Sequence, residues 1–203
     1  MAERPPIEWG VASRCRQGEA ASGDLGVVRL LPDGALAAAI DGLGHGTEAA
    51  RAAAAIGDVL RESPSADLVA LVERGHAALK GTRGAVIGLA FLSAATSTVN
   101  WLGVGNVEGR VMSGVPSATR TRGSLAAVSG IPGHTLPRVD TATLDIRPGD
   151  VLLLATDGVG SAFADSLDVS GSPQAIAERI LRAHWRVSDD ALVVALRYLG
   201  PRR

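Results

Sequence analysis

Residues 35–50, ALAAAIDGLGHGTEAA, constrain the fold more than any other stretch of the chain. A run of small apolar residues stops at Asp41, glycines follow at 42, 44 and 46, and an alanine-rich segment begins. The pattern reads as a buried strand, a tight turn and a helix. Uninterrupted apolar residues suit a strand covered on both faces, and glycine lets backbone come close where a Cβ would block it. A carboxylate at the point where the apolar run ends puts charge at the margin of a core, beside bare backbone. Such a construction suits a cation.

The partner strand lies just upstream. SGD at 22–24 precedes the apolar run 25–31, and LPDG at 31–34 supplies turn chemistry before the strand 35–40. The ends of antiparallel strands lie side by side, so Asp24 and Asp41 are expected to meet. Further upstream, residues 7–16 carry a weak strand signal. Downstream, a helix is expected over 49–60, with Thr47 as N-cap and Glu48 in its first turn, stopping before Pro64. A second helix is expected over 65–80, where Leu68, Leu71, Val72 and Leu79 recur at helical spacing ahead of Gly81.

The runs 85–92, 98–104 and 107–112 read as a meander of three strands. Residues 120–138, rich in glycine, serine and proline, read as a loop with one short strand. A strand over 141–146 and the turn RPGD lead to the apolar strand 151–156, which ends in Asp157 and Gly158 and so repeats the Asp41 and Gly42 arrangement. A helix from Ser172 or Pro173 to His184, then Ser188, Asp189, Asp190 and a last strand over 191–198, complete the pattern.

Composition narrows the functional classes. With 203 residues, 46% of them hydrophobic, and no compositional break, one domain over 1–203 is expected. Twenty Lys and Arg against 21 Asp and Glu give a net charge of -1, which gives no support for binding to nucleic acid or to an anionic membrane surface. An aromatic content of 3% leaves few platforms for stacking bases. No apolar run is long enough to span a bilayer, MAERPPIEW does not read as a secretory leader, and the single Cys15 allows no internal disulfide. The expectation is a cytoplasmic monomer.

The distinctive feature is the set of acidic residues at strand margins: Asp24, Asp41, Asp157 and the adjacent Asp189 and Asp190. Any one of them alone reads as a turn former or cap. Several at one rim of a sheet would repel one another and hold their protons unless cations neutralise them, and an all-oxygen set selects Mg²⁺ or Mn²⁺ over Zn²⁺. His76, His134 and His184 show no ligand spacing.

DGLGHGTEAA, ATDGV at 155–159, SGD at 22–24 and SDDALVVALRY at 188–198 resemble, together with their strand context, the metal-dependent Ser/Thr phosphatases of the type 2C superfamily, in its SpoIIE-like branch. The short chain, the DGLG wording and GVGNVEGRV at 103–111 are similar to the RsbX-type stressosome phosphatases of that branch. The resemblance implies an α+β fold, a four-layer α-β-β-α sandwich, with two divalent cations, Mn²⁺ or Mg²⁺, at one end. Asp41 would bridge both ions, Gly42 would give a backbone carbonyl, Asp157 and Asp189 would hold one ion, and Asp24 would serve the other directly or through water. Asp189 matches the family ligand better than Asp190, which is the spare.

The implied reaction is hydrolysis of phosphoserine or phosphothreonine by in-line attack of a water bridging two ions, without a covalent enzyme intermediate. The implied substrates are phosphorylated STAS-domain stressosome proteins, so that the enzyme resets a stress signal by feedback. Two positions depart from the wider superfamily. Leu43 stands where many relatives have a histidine, which leaves His45 as a polar turn residue, a donor behind the ligands or a leaving-group acid. Asn106 stands where larger relatives have an aspartate tied to a third metal, and is expected to support the ligands instead.

Nucleotide binding through the glycine turns is disfavoured, because Thr47 and Glu108 occupy the places where GxGxxG needs its last glycine. The stronger rival is a catalytically silent module of the same fold that binds a phosphoprotein. It sits poorly with the acidic set, since buried carboxylates without a metal cost stability. Arg14 and Arg16 read as solvated residues or phosphate contacts, and the 120–138 loop is the candidate docking region.

Overall fold

The computed structural model describes residues 6–63, 65–115, 120–165 and 167–201. Its elements run β1 (Ile7–Arg14), β2 (Asp24–Leu31), β3 (Gly34–Gly42), α1 (Gly46–Glu62), α2 (Leu68–Ala78), β4 (Ala85–Ser93), β5 (Thr98–Val104), β6 (Glu108–Met112), β7 (Thr121–Ser124), β8 (Ala127–Val128), β9 (Ala142–Asp145), β10 (Val151–Ala155), α3 (Pro173–His184) and β11 (Ala191–Tyr198). A short 3₁₀ helix, Ser161–Ala164, lies between β10 and α3.

Two sheets face each other. The first has the order β1-β11-β10-β6-β7, and the second β2-β3-β4-β5-β8, with β9 also paired to β5. Period-two alternation divides each central strand between two cores. In β3, Ala35, Ala37 and Ala39 point between the sheets, while Leu36, Ala38 and Ile40 point to α1 and α2. In β11, Leu192, Val194, Leu196 and Tyr198 face the same inter-sheet layer, and Ala191, Val193 and Ala195 face α3. Both faces of each sheet are therefore covered, and the layers run α-β-β-α as expected.

Several local expectations are corrected. The α1 helix begins at Gly46, with His45 in the N-cap position, because Gly44 and Gly46 both take positive φ and turn the chain earlier than Thr47. α2 begins at Leu68, where the Asp67 carboxylate accepts the N–H of Ala70 at 3.1 Å; Pro64 lies outside the described residues. The three-strand meander is only a hairpin of β4 and β5, since β6 crosses to the other sheet and pairs with β10 and β7. The 120–138 segment contributes two short strands, one to each sheet.

Pairing and crossing together gather the acidic strand ends. β2 and β3 pair with Asp24 opposite Asp41, and in the other sheet the end of β10 lies beside the start of β11. Antiparallel pairing thus delivers acidic strand ends from both sheets, and the turn between β5 and β6 brings Asn106 to the same end.

Candidate metal centre

Asp41, Asp157 and Asp189 line one cleft of about 340 Å³, together with Arg16, Leu43, Gly44, His45, Val86 and Asn106. Asp41 is the penultimate residue of β3, Asp157 follows β10, and Asp189 precedes β11. Asp24 is buried at the start of β2, directly across from Asp41. Residues more than a hundred positions apart are therefore brought together by strand ends alone.

The two Asp-Gly pairs have a steric purpose. A Cβ on Gly42 would lie 2.1 Å from the carbonyl oxygen of Ala49, and one on Gly158 would lie 1.8 Å from the carbonyl oxygen of Asp190. Each glycine lets another segment, α1 in one case and the lead into β11 in the other, close against the backbone beside the aspartate. The N–H of Gly42 donates to the carbonyl of Gly23 at 3.0 Å, which ties the β2 lead-in to the same corner.

Adjacent aspartates have different roles. Asp190 is 3% exposed and accepts the N–H groups of Arg16 at 2.8 Å and Gly23 at 2.7 Å, one on each carboxylate oxygen. It pins the loop between β1 and β2 from within. Asp189 faces the cleft and accepts the N–H of Asp190 at 2.9 Å. Asn106 donates to Asp157 Oδ2 at 2.7 Å, and Arg186 Nη1 donates to the Asp157 carbonyl at 3.1 Å. His45 Nδ1 stands 2.5 Å from Glu19 Oε1 at the cleft wall.

Thr156 was not among the residues that sequence reasoning singled out. Its hydroxyl donates to Asp24 Oδ2 at 2.6 Å and accepts the N–H of Leu192 at 2.8 Å, joining β2 of one sheet to β11 of the other through a buried bridge. The available signal was a lone hydroxyl between an apolar strand and an aspartate, where a buried polar group requires a partner.

Among the described residues, none of Asp24, Asp41, Asp157, Asp189 and Asp190 forms a salt bridge. Burial, and then the neighbouring Asp41, push Asp24 up to about 8 against the pull of Thr156. Burial, and then Asp157, Asp189 and Asp190, push Asp41 up to about 7. Asp157 is raised by burial and by Asp189, with Arg186 and Asn106 opposing. The donors are carboxylate oxygens, without a cysteine or a free imidazole among them, which is the chemistry of a hard divalent cation. Among the described residues, no three acidic, histidine or cysteine side chains are already drawn in to the spacing one ion imposes. In donor type and charge the residues fit such an ion.

The family model for stage II sporulation protein E, SpoIIE, matches residues 32–199. The chain belongs to the SpoIIE family. No curated protein matches it by sequence at a significant level. Solved structures place this SpoIIE-family chain in the type 2C phosphatase fold. A chain from work on the bacterial stressosome as a modular system adapted to control secondary messenger signaling is 29% identical, with a TM-score of 0.82, covering 94% of this chain and 99% of that one. RsbX in complex with magnesium is 23% identical, with a TM-score of 0.84, covering 97% of each. The catalytic domain of the serine/threonine phosphatase PstP in complex with two manganese ions is 18% identical, with a TM-score of 0.71, covering 96% and 99%. Among the described residues, no helix is long and apolar enough to cross a membrane.

Proposed function

We propose that this SpoIIE-family chain is a metal-dependent protein phosphatase that hydrolyses phosphoserine or phosphothreonine, acting on phosphorylated STAS-domain stressosome proteins as a feedback reset of stress signalling. The observation that carries the reading is the meeting of Asp41, Asp157 and Asp189 in one cleft, with Asp24 opposite Asp41 and no salt bridge to any of them among the described residues. The stressosome assignment is supported by the likeness to RsbX and to the stressosome chain.

Asp41 would serve two divalent cations, Mn²⁺ or Mg²⁺, with the Gly42 carbonyl beside it, Asp157 and Asp189 on one ion and Asp24 on the other. Bound there, the cations supply an activated water and offset charge on the phosphoryl oxygens. The protein's own contribution is positional. Asn106 fixes the rotation of the Asp157 carboxylate, Thr156 fixes Asp24, and Asp190 holds the loop that presents Arg16 to the cleft. Arg16 is placed to meet an anionic phosphoryl group. His45, engaged with Glu19, shapes the cleft wall and is not assigned the role of leaving-group acid.

The test is release of phosphate from p-nitrophenyl phosphate with Mn²⁺ against chelator, followed by phospho-STAS proteins as substrates. Metal-dependent turnover lost in Asp41→Ala and Asp157→Asn with folding intact is the expected result. No turnover at any Mn²⁺ or Mg²⁺ concentration would instead leave a phosphoprotein-binding module.

A further inference from the structure

Arg83, in the turn between α2 and β4, stands at the edge of the cleft beside Gly44 and does not line the acidic centre. The backbone there is tied down on both sides. The Arg83 carbonyl lies 2.9 Å from His134 Nε2, the Gly84 N–H donates to Thr82 Oγ1 at 3.0 Å, and the Gly84 carbonyl accepts the N–H of Leu43, a cleft-lining residue, at 3.0 Å. The guanidinium rests on Gly44. A Cβ there would lie 2.8 Å from Arg83 Nη1, and Gly44 has φ +94, so the glycine that turns the cleft wall also leaves the seat for this cation.

The side chain is exposed and, among the described residues, has no hydrogen-bond or ion-pair partner, whereas Arg51, Arg61, Arg110, Arg122 and Arg179 each meet a carboxylate. Arg83 is absent from the cleft lining. Its Nη1 stands beside Gly44, a lining residue, so the exposed guanidinium borders the cleft without entering it. A phosphoprotein whose phosphate reaches the floor lays its flanking residues over this border, where an exposed guanidinium without a carboxylate of its own attracts an acidic side chain. A guanidinium presents a planar fork that matches a carboxylate in a way a lysine does not.

We propose that Arg83 is a specificity-determining residue that recognises an acidic side chain beside the phosphorylated serine or threonine of the substrate. This role rests on the phosphatase reading, and the experiment separates the two. Steady-state kinetics with Mn²⁺ are measured for p-nitrophenyl phosphate and for two phosphoserine peptides that differ only in glutamate or alanine flanking the phosphoserine, using the unaltered chain, Arg83→Ala and Arg83→Glu. The glutamate peptide is preferred by about fivefold in kcat/KM, through KM, as an exposed ion pair allows. The preference falls to near unity in Arg83→Ala, reverses in Arg83→Glu, and shrinks at high salt. The p-nitrophenyl phosphate rates stay within about twofold throughout, since that substrate has no flanking residue to meet a rim charge screened by solvent.

Equal use of both peptides by the unaltered chain, or a preference that survives Arg83→Glu, overturns the proposal. So does a parallel loss with p-nitrophenyl phosphate, which would place Arg83 on the phosphate itself. Absence of p-nitrophenyl phosphate turnover by the unaltered chain overturns the phosphatase reading instead, and thermal melting of each variant excludes misfolding as the cause.

Discussion

Strand β10 has an aspartate at each end, and the molecule treats the two in opposite ways. Asp150, just before the strand, is 5% exposed and fully compensated: Arg122 pairs with it, and the N–H groups of Arg147 and Gly114 donate to it at 2.9 and 3.3 Å. Asp157, just after the strand, joins Asp24, Asp41 and Asp189 in a cluster where Asp24, Asp41 and Asp157 hold their protons more tightly than carboxylates in water. A buried carboxylate with its own counter-charge serves the fold. Several kept close without one form a site whose charge a cation would offset.

The contrast is broken or sharpened most strongly by removing one aspartate from each end. Asp150→Ala leaves the half-buried Arg122 and the N–H of Arg147 without their acceptor and is expected to cost about 1 to 3 kcal/mol of stability, the scale for leaving polar groups unsatisfied, measured by urea unfolding. Asp41→Ala is expected to behave in the reverse sense: the metal-free protein becomes no less stable, while kcat falls roughly 100- to 1,000-fold, the scale of losing one group that stabilises transition-state charge. If Asp41→Ala destabilised as Asp150→Ala does, the distinction between the two ends would fail.

The bridge between the sheets gives the next largest effect. Thr156→Val removes the donor to Asp24, and Mn²⁺ affinity is expected to fall about 10- to 100-fold, as for other groups that orient a ligand, with recovery in Thr156→Ser. Calorimetric titration of the metal into each variant reads this directly. Equal affinity in Thr156→Val and the unaltered chain would assign the bridge to packing alone.

Proton linkage has a defined sign. Asp24 at about 8 and Asp41 at about 7 are both raised in the fold, so their contribution to stability is complete below the ordinary carboxylate range and is lost as pH rises through 7 and 8. A divalent cation removes the penalty. The gain in Tm from Mn²⁺ over chelator is therefore expected to be larger at about pH 8 than at about pH 5. The smallest effect belongs to His45→Ala, which breaks a half-exposed contact with Glu19 and is expected to cost no more than about 1 kcal/mol, less at high salt, in thermal melts.

Much of this was legible in the chain because it rests on short-range rules. The 31–34 turn fixes the β2 and β3 hairpin, and the hairpin alone sets Asp24 against Asp41. The two Asp-Gly pairs were visible too, although the reason for each glycine, a carbonyl oxygen of Ala49 or of Asp190 at its α-carbon, belongs to packing between distant segments. The crossing of β6 was not legible, because the strand 107–112 has the same apolar pattern whichever sheet receives it. The resemblance favours Asp189 over Asp190, but the physical reason was not legible, since it depends on Arg16 and Gly23 presenting their N–H groups to Asp190 from more than 160 residues away. Thr156 was hidden for the same reason.

The most direct measurement is a calorimetric titration of Mn²⁺ into the unaltered chain and into Asp41→Ala. Saturable uptake of two ions per chain, with at least one lost in the folded variant, is the predicted result. No saturable uptake, or the same uptake in both proteins, would contradict the assignment of these carboxylates to a metal centre.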